Sequence, residues 1–310
     1  MRVFVAGATG AIGRPLVRAL AAKRYTVFGT TRKWESANII SADGGQPIIL
    51  DVFDADAVKG AMQDLRPDVV VEQLTALPKD NTPSERRAMA AMHRKIRLEG
   101  GANVHKAAES IGVARYVVQS SAFWCIPGEG LADEAVPLAV DAIAPAVASG
   151  AQTLQALETR VLQSKGMEGI VLRYGFFYGP DTWYARDGSS ANQVRRQETP
   201  IIGAGLGVWS FVHVDDAAAA TVSAVEGAVK KSALYNITDD RPLPVSVWLP
   251  TYARWLGAPK PPSLAEDDAR AQFGEDAVFY GTKLRGASNR KAKAELGFVP
   301  RPLEWTGENQ

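Results

Sequence analysis

The fold is decided near the start of the chain by the stretch Val3-Phe4-Val5-Ala6-Gly7-Ala8-Thr9-Gly10-Ala11-Ile12-Gly13. Its apolar residues predict a buried strand, and residues 11–23 carry apolar side chains at helical spacing. Between them, Gly7 permits a tight turn, Gly10 lets a phosphate approach the backbone, and Gly13 lets helix and strand pack closely. An anion then faces the helix N-terminus. We therefore predict a dinucleotide site whose loop comprises Gly7, Thr9, Gly10, Ala11, Ile12 and Gly13.

Short apolar runs alternate with helical stretches through the first half of the chain. After the first strand at residues 3–6, further strands are predicted at residues 26–30, 47–50, 68–72, 115–119 and 169–173. Further helices are predicted at residues 35–42, 54–64, 85–111 and 150–165. This alternation is typical of βαβ units. It predicts an α/β fold with a doubly wound parallel sheet of the Rossmann type.

The second half of the chain is less regular. Its pattern predicts a polar loop at residues 181–200, a strand at 209–214 and an alanine-rich helix at 215–229. These are followed by a strand at 233–237, a helix at 245–256 and a proline-rich linker at 257–262. We expect residues 1–178 to form the dinucleotide-binding domain, with residues 211–240 packing back onto it. Residues 179–310 should form mainly a smaller, mixed substrate-binding lobe.

The composition narrows the class of partner. Thirty-five Lys and Arg against 34 Asp and Glu give a net charge of +1, which argues against nucleic acid or an anionic membrane as the main partner. The single cysteine, Cys125, excludes an internal disulfide and a cysteine-based zinc site, and we expect no metal. No apolar run reaches about 18 residues, and the N-terminus lacks a signal-peptide layout. We expect a cytoplasmic protein that acts on a small molecule, and a homodimer is left open.

The end of the second predicted strand indicates the cofactor. Enzymes that use NAD place an acid there to bind the ribose 2′-hydroxyl, whereas this chain has Thr30-Thr31-Arg32-Lys33. The guanidinium of Arg32 suits a 2′-phosphate, and the hydroxyls of Thr30 and Thr31 are expected to offer further donors. The sequence therefore predicts NADP(H).

Several motifs in order along the chain carry a resemblance to a known family. The glycine spacing is similar to that of short-chain dehydrogenase/reductases. Three segments, Ser120-Ser121-Ala122, residues 172–180 (LRYGFFYGP) and residues 211–217 (FVHVDDA), resemble its extended, epimerase/dehydratase-like branch. The segments Lys291-Ala292 and Leu296-Gly297-Phe298 resemble the tail of that branch.

The resemblance implies roles for residues at the ends of the predicted strands. Ser121 matches the serine that hydrogen-bonds the substrate oxygen. Asp51 and Val52 match the position that contacts adenine. The remaining residues expected beside the cofactor are Leu74, Thr75, Ala76, Ser120 and Tyr174.

The chain departs from the family at its catalytic dyad, Tyr-x-x-x-Lys, in which the lysine lowers the pKa of a proton-transferring tyrosine. When Glu158 is aligned with the glutamate that usually follows, the tyrosine position is Gly150 and the lysine position is Leu154. No tyrosine lies between Phe123 and Arg173. The site is therefore atypical, and the alternative acids are Tyr178 and Tyr174.

A second departure concerns the substrate. Trp209 stands where nucleotide-sugar epimerases usually have an arginine that holds a diphosphate. The segments expected at the pocket are rich in aromatic residues, which favours an apolar or aromatic ligand. The predicted substrate-binding residues are Phe123, Trp124, Gln152, Phe176, Trp183 and Trp209.

Together these observations predict an NADPH-dependent reductase of a carbonyl or conjugated double bond in a small, fairly apolar substrate. Ser121 would position the oxygen. Two alternatives stay open. One is an epimerase or dehydratase of the same family that recycles its cofactor. The other is a non-catalytic NADP(H)-binding sensor or regulatory protein, which the missing dyad permits.

Overall fold

A computed structural model describes residues 1–227 and 231–307 of the chain. Its strands are β1 (Arg2–Ala6), β2 (Thr26–Thr31), β3 (Gln46–Ile49), β4 (Val69–Glu72), β5 (Arg115–Ser121), β6 (Glu168–Tyr174), β7 (Phe176–Tyr178), β8 (Ile201–Ile202), β9 (Val208–Trp209), β10 (Phe211–His213), β11 (Ala233–Ile237), β12 (Leu243–Pro244) and β13 (Ser263–Leu264).

The helices are α1 (Gly13–Ala22), α2 (Ala37–Ala42), α3 (Ala55–Leu65), α4 (Pro83–Lys95), α5 (Gly101–Ser110), α6 (Pro145–Leu162), α7 (Ser189–Arg195), α8 (Val214–Glu226), α9 (Val245–Trp255), α10 (Glu266–Phe273), α11 (Glu275–Val278) and α12 (Arg290–Leu296). A π-helical turn, Ile96–Gly100, joins α4 to α5. The predicted helix 85–111 is therefore continuous but irregular.

Seven strands form one parallel sheet in the order β11-β6-β5-β4-β1-β2-β3. β1 pairs with β2 on one side and with β4 on the other, so the strand order reverses beside the glycine loop that follows β1. In open α/β sheets, ligands bind at such a reversal, outside the carboxyl ends of the strands. The predicted Rossmann-type sheet is confirmed, and the topology brings the ends of β1, β2, β4 and β5 to one edge.

Alternating side chains of the strands build two cores, one on each face of the sheet. Val3 and Val5 of β1 lie in the core that α1 and α8 cover. Phe4, between them, lies in the core that α5 and α6 cover. Because these strands are buried on both faces, their sequences are continuous apolar runs rather than an alternation of apolar and polar residues.

The C-terminal region contains three two-stranded sheets, which pair β7 with β10, β9 with β12 and β8 with β13. The predicted strand 209–214 is observed as two short strands, β9 and β10, and the Ser210 carbonyl between them accepts a hydrogen bond from the Phe176 amide. The predicted loop 181–200 contains α7. The predicted helix 215–229 is observed as α8, and its residues 228–229 lie outside the described part of the chain. None of the described helices has the length and apolarity that crossing a membrane requires.

Candidate active site

The glycine loop after β1 has the geometry that its sequence predicts. Gly7 has φ +89°, in the region that favours glycine. A Cβ at Gly13 would lie less than 3.0 Å from the carbonyl of Gly7, so α1 approaches the strand as closely as a glycine allows. The Arg14 amide bonds the Gly10 carbonyl. The amides of residues 11–13 therefore precede the first helical hydrogen bonds and lie at the N-terminal end of α1.

Gly10 faces open space, in contrast to Gly7 and Gly13. A Cβ placed on Gly10 would meet only the carbonyl of Gly7, at 3.5 Å. This space lies at the N-terminus of α1, where backbone amides and the helix dipole favour an anion. The loop therefore fits the pyrophosphate of a nicotinamide dinucleotide.

The end of β2 lies beside this loop. Thr30 is buried, and its hydroxyl accepts a hydrogen bond of 3.3 Å from the Gly7 amide, so this hydroxyl shapes the loop. Thr31 accepts a hydrogen bond of 3.2 Å from the Lys33 amide. Arg32 follows and is exposed, as is the indole of Trp34. No acid stands at the end of this strand.

The remaining residues predicted beside the cofactor lie at the ends of neighbouring strands. Asp51 is exposed and caps its own turn by accepting from the Phe53 amide, while Val52 is buried. Leu74, Thr75 and Ala76 follow β4. The Ala76 amide donates to Nδ1 of His93 at 3.2 Å. Helix α4 thereby holds the end of this segment.

Ser121 ends β5 and is half-buried. Within the described part of the chain its hydroxyl has no hydrogen-bond partner, so it is available to a ligand. The preceding residue, Ser120, points to the other face of the sheet and is fully buried. Its hydroxyl donates to Oε1 of Glu158 at 2.5 Å. Of these two serines, Ser121 alone offers a hydroxyl to the cleft.

Glu158 belongs to a buried ion pair below the cleft. Its carboxylate accepts two hydrogen bonds from the guanidinium of Arg173, at 2.8 and 2.7 Å. The side chains of both residues are only 6% exposed. Burial lowers the pKa of Arg173, but the pairing with Glu158 outweighs it and raises that pKa overall. Glu158 therefore joins α6 to β5 and β6.

An indole ring covers Gly150, the residue predicted to stand at the tyrosine position. At Gly150 on α6, a Cβ would lie less than 3.0 Å from three carbons of the Trp124 indole. The indole is held there because its Nε1 donates to the Tyr280 hydroxyl at 2.8 Å. One turn later, Leu154, the residue predicted to stand at the lysine position, is buried in the core. Neither of these two predicted dyad positions carries a phenol or an ammonium group.

The alternative acids are both buried. Tyr174 donates to the Thr221 hydroxyl at 2.7 Å, because that hydroxyl already donates to the carbonyl of Ala217. Burial raises the pKa of Tyr174 to about 12. Tyr178 packs edge-on against His213 and Trp305, and burial also raises its pKa.

Aromatic rings cluster beyond the carboxyl end of β5, where the fold predicts the substrate cleft. Phe123, two residues beyond Ser121, stacks on Phe176 with ring centroids 4.2 Å apart, and Phe176 stacks on Trp209 at 4.0 Å. All three are only partly buried. We call Phe123, Phe176 and Trp209 the aromatic wall. Because Phe176 lies between the other two rings, both of its faces are covered, and a ligand would contact the ring edges of this wall.

Two predicted substrate-binding residues, Gln152 and Trp183, lie outside the aromatic wall and bond to the backbone of other segments. Gln152 is exposed on the outer side of α6 and donates to the carbonyl of Val140 at 3.0 Å. Trp183 donates its Nε1 to the carbonyl of Pro78 at 3.1 Å and joins two loops. Sequence reasoning missed Tyr280, which is 156 residues from Trp124 and whose neighbours carry no motif.

Residues 3–238 match the model of the NAD dependent epimerase/dehydratase family. The chain belongs to this family. It is similar to a protein of Streptomyces sp. named 3-diazoavenalumate denitrifying reductase, with 42% identity over 308 residues and 98% of both chains covered. It is also similar to the 2′-dehydrokanamycin reductase of Streptomyces kanamyceticus, with 26% identity over 92% of this chain and 75% of the relative.

Among solved structures, the fold is similar to that of DesIV, a dTDP-glucose 4,6-dehydratase from Streptomyces venezuelae with NAD and TYD bound. The TM-score is 0.76 with 20% identity, over 99% of this chain and 94% of DesIV. This likeness establishes the fold. With the family and the reductases among its relatives, the chain is an oxidoreductase that uses a nicotinamide dinucleotide.

The contact between Gly150 and Trp124 gives a first prediction. Gly150→Ala should destabilise the fold by about 1–3 kcal/mol, because the added methyl group must displace the indole from Tyr280. Urea unfolding measures the change. The matched control is Gly60→Ala on α3, where a Cβ meets nothing within 4 Å. That control should be stabilised by about 0.5–1 kcal/mol. Equal behaviour of the two variants would contradict the contact.

Proposed function

We propose that the chain transfers hydride from NADPH to a small aromatic compound that carries a diazonium group, which then leaves as N2. The observation that carries this proposal is the Trp124 indole over Gly150, with Leu154 in place of the lysine. A site built in this way has no acid at the place where the family protonates a substrate oxygen. The favoured reaction is therefore one that needs no such proton.

Removal of a diazonium group meets this condition. When bound, NADPH supplies a hydride. A C–H bond forms with the electron pair of the hydride, the C–N bond breaks with its pair passing to nitrogen, and N2 leaves. A cation and a hydride yield two neutral molecules, so no proton is added or released. Support comes from the relative that is 42% identical, whose name denotes a denitrifying reductase of a diazo compound.

The residues at the carboxyl edge of the sheet have positioning tasks in this reaction. The aromatic wall of Phe123, Phe176 and Trp209 would pack its ring edges against the substrate ring. The Ser121 hydroxyl, which is free of protein partners in the described residues, would hydrogen-bond a polar substituent of that ring. Correct placement of the reacting carbon can supply much of the rate enhancement. We place the substrate between this edge and the C-terminal lobe.

We also propose that the cofactor is NADP(H) rather than NAD(H). Arg32 is exposed at the end of β2, where it is accessible to a 2′-phosphate. The unmodified protein should bind NADPH at least about tenfold more tightly than NADH, which is the size of one charge-assisted contact. In Arg32→Ala this ratio should fall to about one. Affinity for NADH should change little. Titration calorimetry with both cofactors measures the ratio, and equal affinities in the unmodified protein would contradict the assignment.

The reaction is tested by its stoichiometry. The protein is incubated with NADPH and benzenediazonium, and NADPH oxidation, N2 and benzene are measured together. We expect one N2 and one benzene for each NADPH oxidised, above the rate without protein. Ketones and conjugated enones serve as comparison substrates. If these consume NADPH while benzenediazonium does not, the chain reduces carbonyl or olefinic compounds and the proposal fails.

A further inference from the structure

The loop after β4 is joined to the C-terminal region through one buried residue, Asn81. Its backbone amide donates to the Ser189 hydroxyl, and its side-chain Nδ2 donates to the Ser190 hydroxyl, both at 2.9 Å. Its backbone carbonyl accepts from Nε2 of Gln193 at 3.0 Å. Asn81 is only 8% exposed. These contacts fix the loop against the start of α7.

The fixed loop positions an arginine on α4. Oδ1 of Asn81 accepts a hydrogen bond of 2.9 Å from Arg86. No carboxylate lies within ion-pair distance of Arg86 among the described residues, so its charge is not neutralised there. A guanidinium has five N–H donors, and this single contact with Asn81 leaves most of them available.

Arg86 is exposed, and its charge reaches two phenols beside the aromatic wall. These are Tyr184, which is buried, and Tyr280, which is partly buried, and both contact Phe176 and Trp209. Burial raises the pKa of each phenol, to about 12 for Tyr280, and the nearby charge of Arg86 opposes the rise in both. Arg86 is therefore a cation close enough to act on both phenols beside the aromatic wall.

We propose that Arg86 binds a carboxylate carried by the aromatic substrate, with the substrate ring on the aromatic wall. The inference deepens the proposed function and rests on it for the nature of the substrate. The geometry favours a carboxylate because a planar guanidinium pairs with two carboxylate oxygens. A diphosphate would need a second cation, and Trp209, which stands where nucleotide-sugar epimerases usually have an arginine, does not supply one. The hydroxyls of Tyr184 and Tyr280 make the region polar without adding charge.

The subsite is tested by binding, without turnover. Calorimetry on the protein with NADP⁺ compares cinnamate, a flat aryl carboxylate, with cinnamamide, its neutral match. We expect cinnamate to bind at least about tenfold more tightly, the size of a hydrogen bond to a charged group. Arg86→Gln should abolish this preference and Arg86→Lys should restore part of it. Arg87→Gln, an equal change of charge on the neighbouring exposed residue, should preserve it.

Turnover gives a second readout. With a benzenediazonium that carries a carboxylate, Arg86→Gln should raise KM about 10- to 100-fold and leave kcat within about twofold. No effect on the carbamoyl analogue is expected. The subsite would be contradicted if cinnamate and cinnamamide bound equally well, or if Arg87→Gln weakened the preference for cinnamate as much as Arg86→Gln. Release of N2 in the same protein would still support the proposed function. Binding of cinnamate through Arg86 without N2 release would overturn the function and keep the subsite.

Discussion

Replacing Gly10 by valine is expected to weaken binding of the nicotinamide dinucleotide by at least about 100-fold, or about 2.7 kcal/mol, while the fold is retained. The Cβ of this residue would project into the open space at the start of α1 and meet only one carbonyl, at 3.5 Å. The valine would therefore occupy space that the pyrophosphate needs without straining the protein itself. Calorimetry measures the affinity, and thermal unfolding measures the fold.

Gly13→Val is the control for this variant. Its side chain would collide with the backbone of Gly7 and Ala8, so this variant should lose stability as well as cofactor affinity. Gly10→Val should lose affinity alone. If Gly10→Val binds the cofactor within about threefold of the unmodified protein, the loop is not the pyrophosphate site.

Replacing Glu158 by alanine is expected to reduce the free energy of unfolding by about 3–5 kcal/mol, because a buried guanidinium would lose its partner. Arg173 is 6% exposed in its side chain and bonds both carboxylate oxygens of Glu158. Ser120 would lose its acceptor at the same time. Urea denaturation measures the difference.

The matched control is Glu198→Ala, which removes a carboxylate paired with Arg196 at 2.7 Å on the surface. Both partners there are more than half exposed. Such pairs contribute little to stability because water and salt screen the charges, so this variant should unfold at nearly the same urea concentration as the unmodified protein. A loss below about 1 kcal/mol in Glu158→Ala would show that its role is not structural. The glutamate would then have to be considered as part of the reaction.

The first half of the fold was predictable because its central strands, β1, β4 and β5, are buried on both faces and helices such as α1 have one apolar face. Val3–Ala6 and the glycines after it combine periodicity, turn chemistry and packing in one short stretch, so strand, turn and helix follow together. The helix predicted at 85–111 has correct bounds to within two residues. Its π-helical turn at Ile96–Gly100 has no signal in the hydrophobic pattern.

The C-terminal region was less predictable because its strands are short and pair over long distances. β8 and β13 have two residues each and lie about 60 residues apart in the sequence, and runs this short show no period. Helices α10, α11 and α12 were not predicted, since only one residue is buried in each. Their apolar pattern is correspondingly weak.

The candidate site was predictable where a motif carries it and not where tertiary packing does. Gly150 and Leu154 indicate the missing dyad from the sequence alone. The indole that fills the place of the tyrosine depends on Tyr280, far along the chain, and could not be inferred from Trp124. Arg86 was missed for a similar reason, because its orientation depends on Asn81 and α7.

The account is tested most directly by the fate of the hydride. NADPH that carries deuterium at nicotinamide C4, on either face in separate experiments, is incubated with benzenediazonium and the protein in ordinary water. We predict monodeuterated benzene from one of the two cofactors, with one N2 for each deuterium transferred, and no ring deuterium when unlabelled NADPH reacts in D2O. Direct hydride transfer by this site would be contradicted if benzene took up deuterium from D2O, or if neither labelled cofactor gave deuterated benzene.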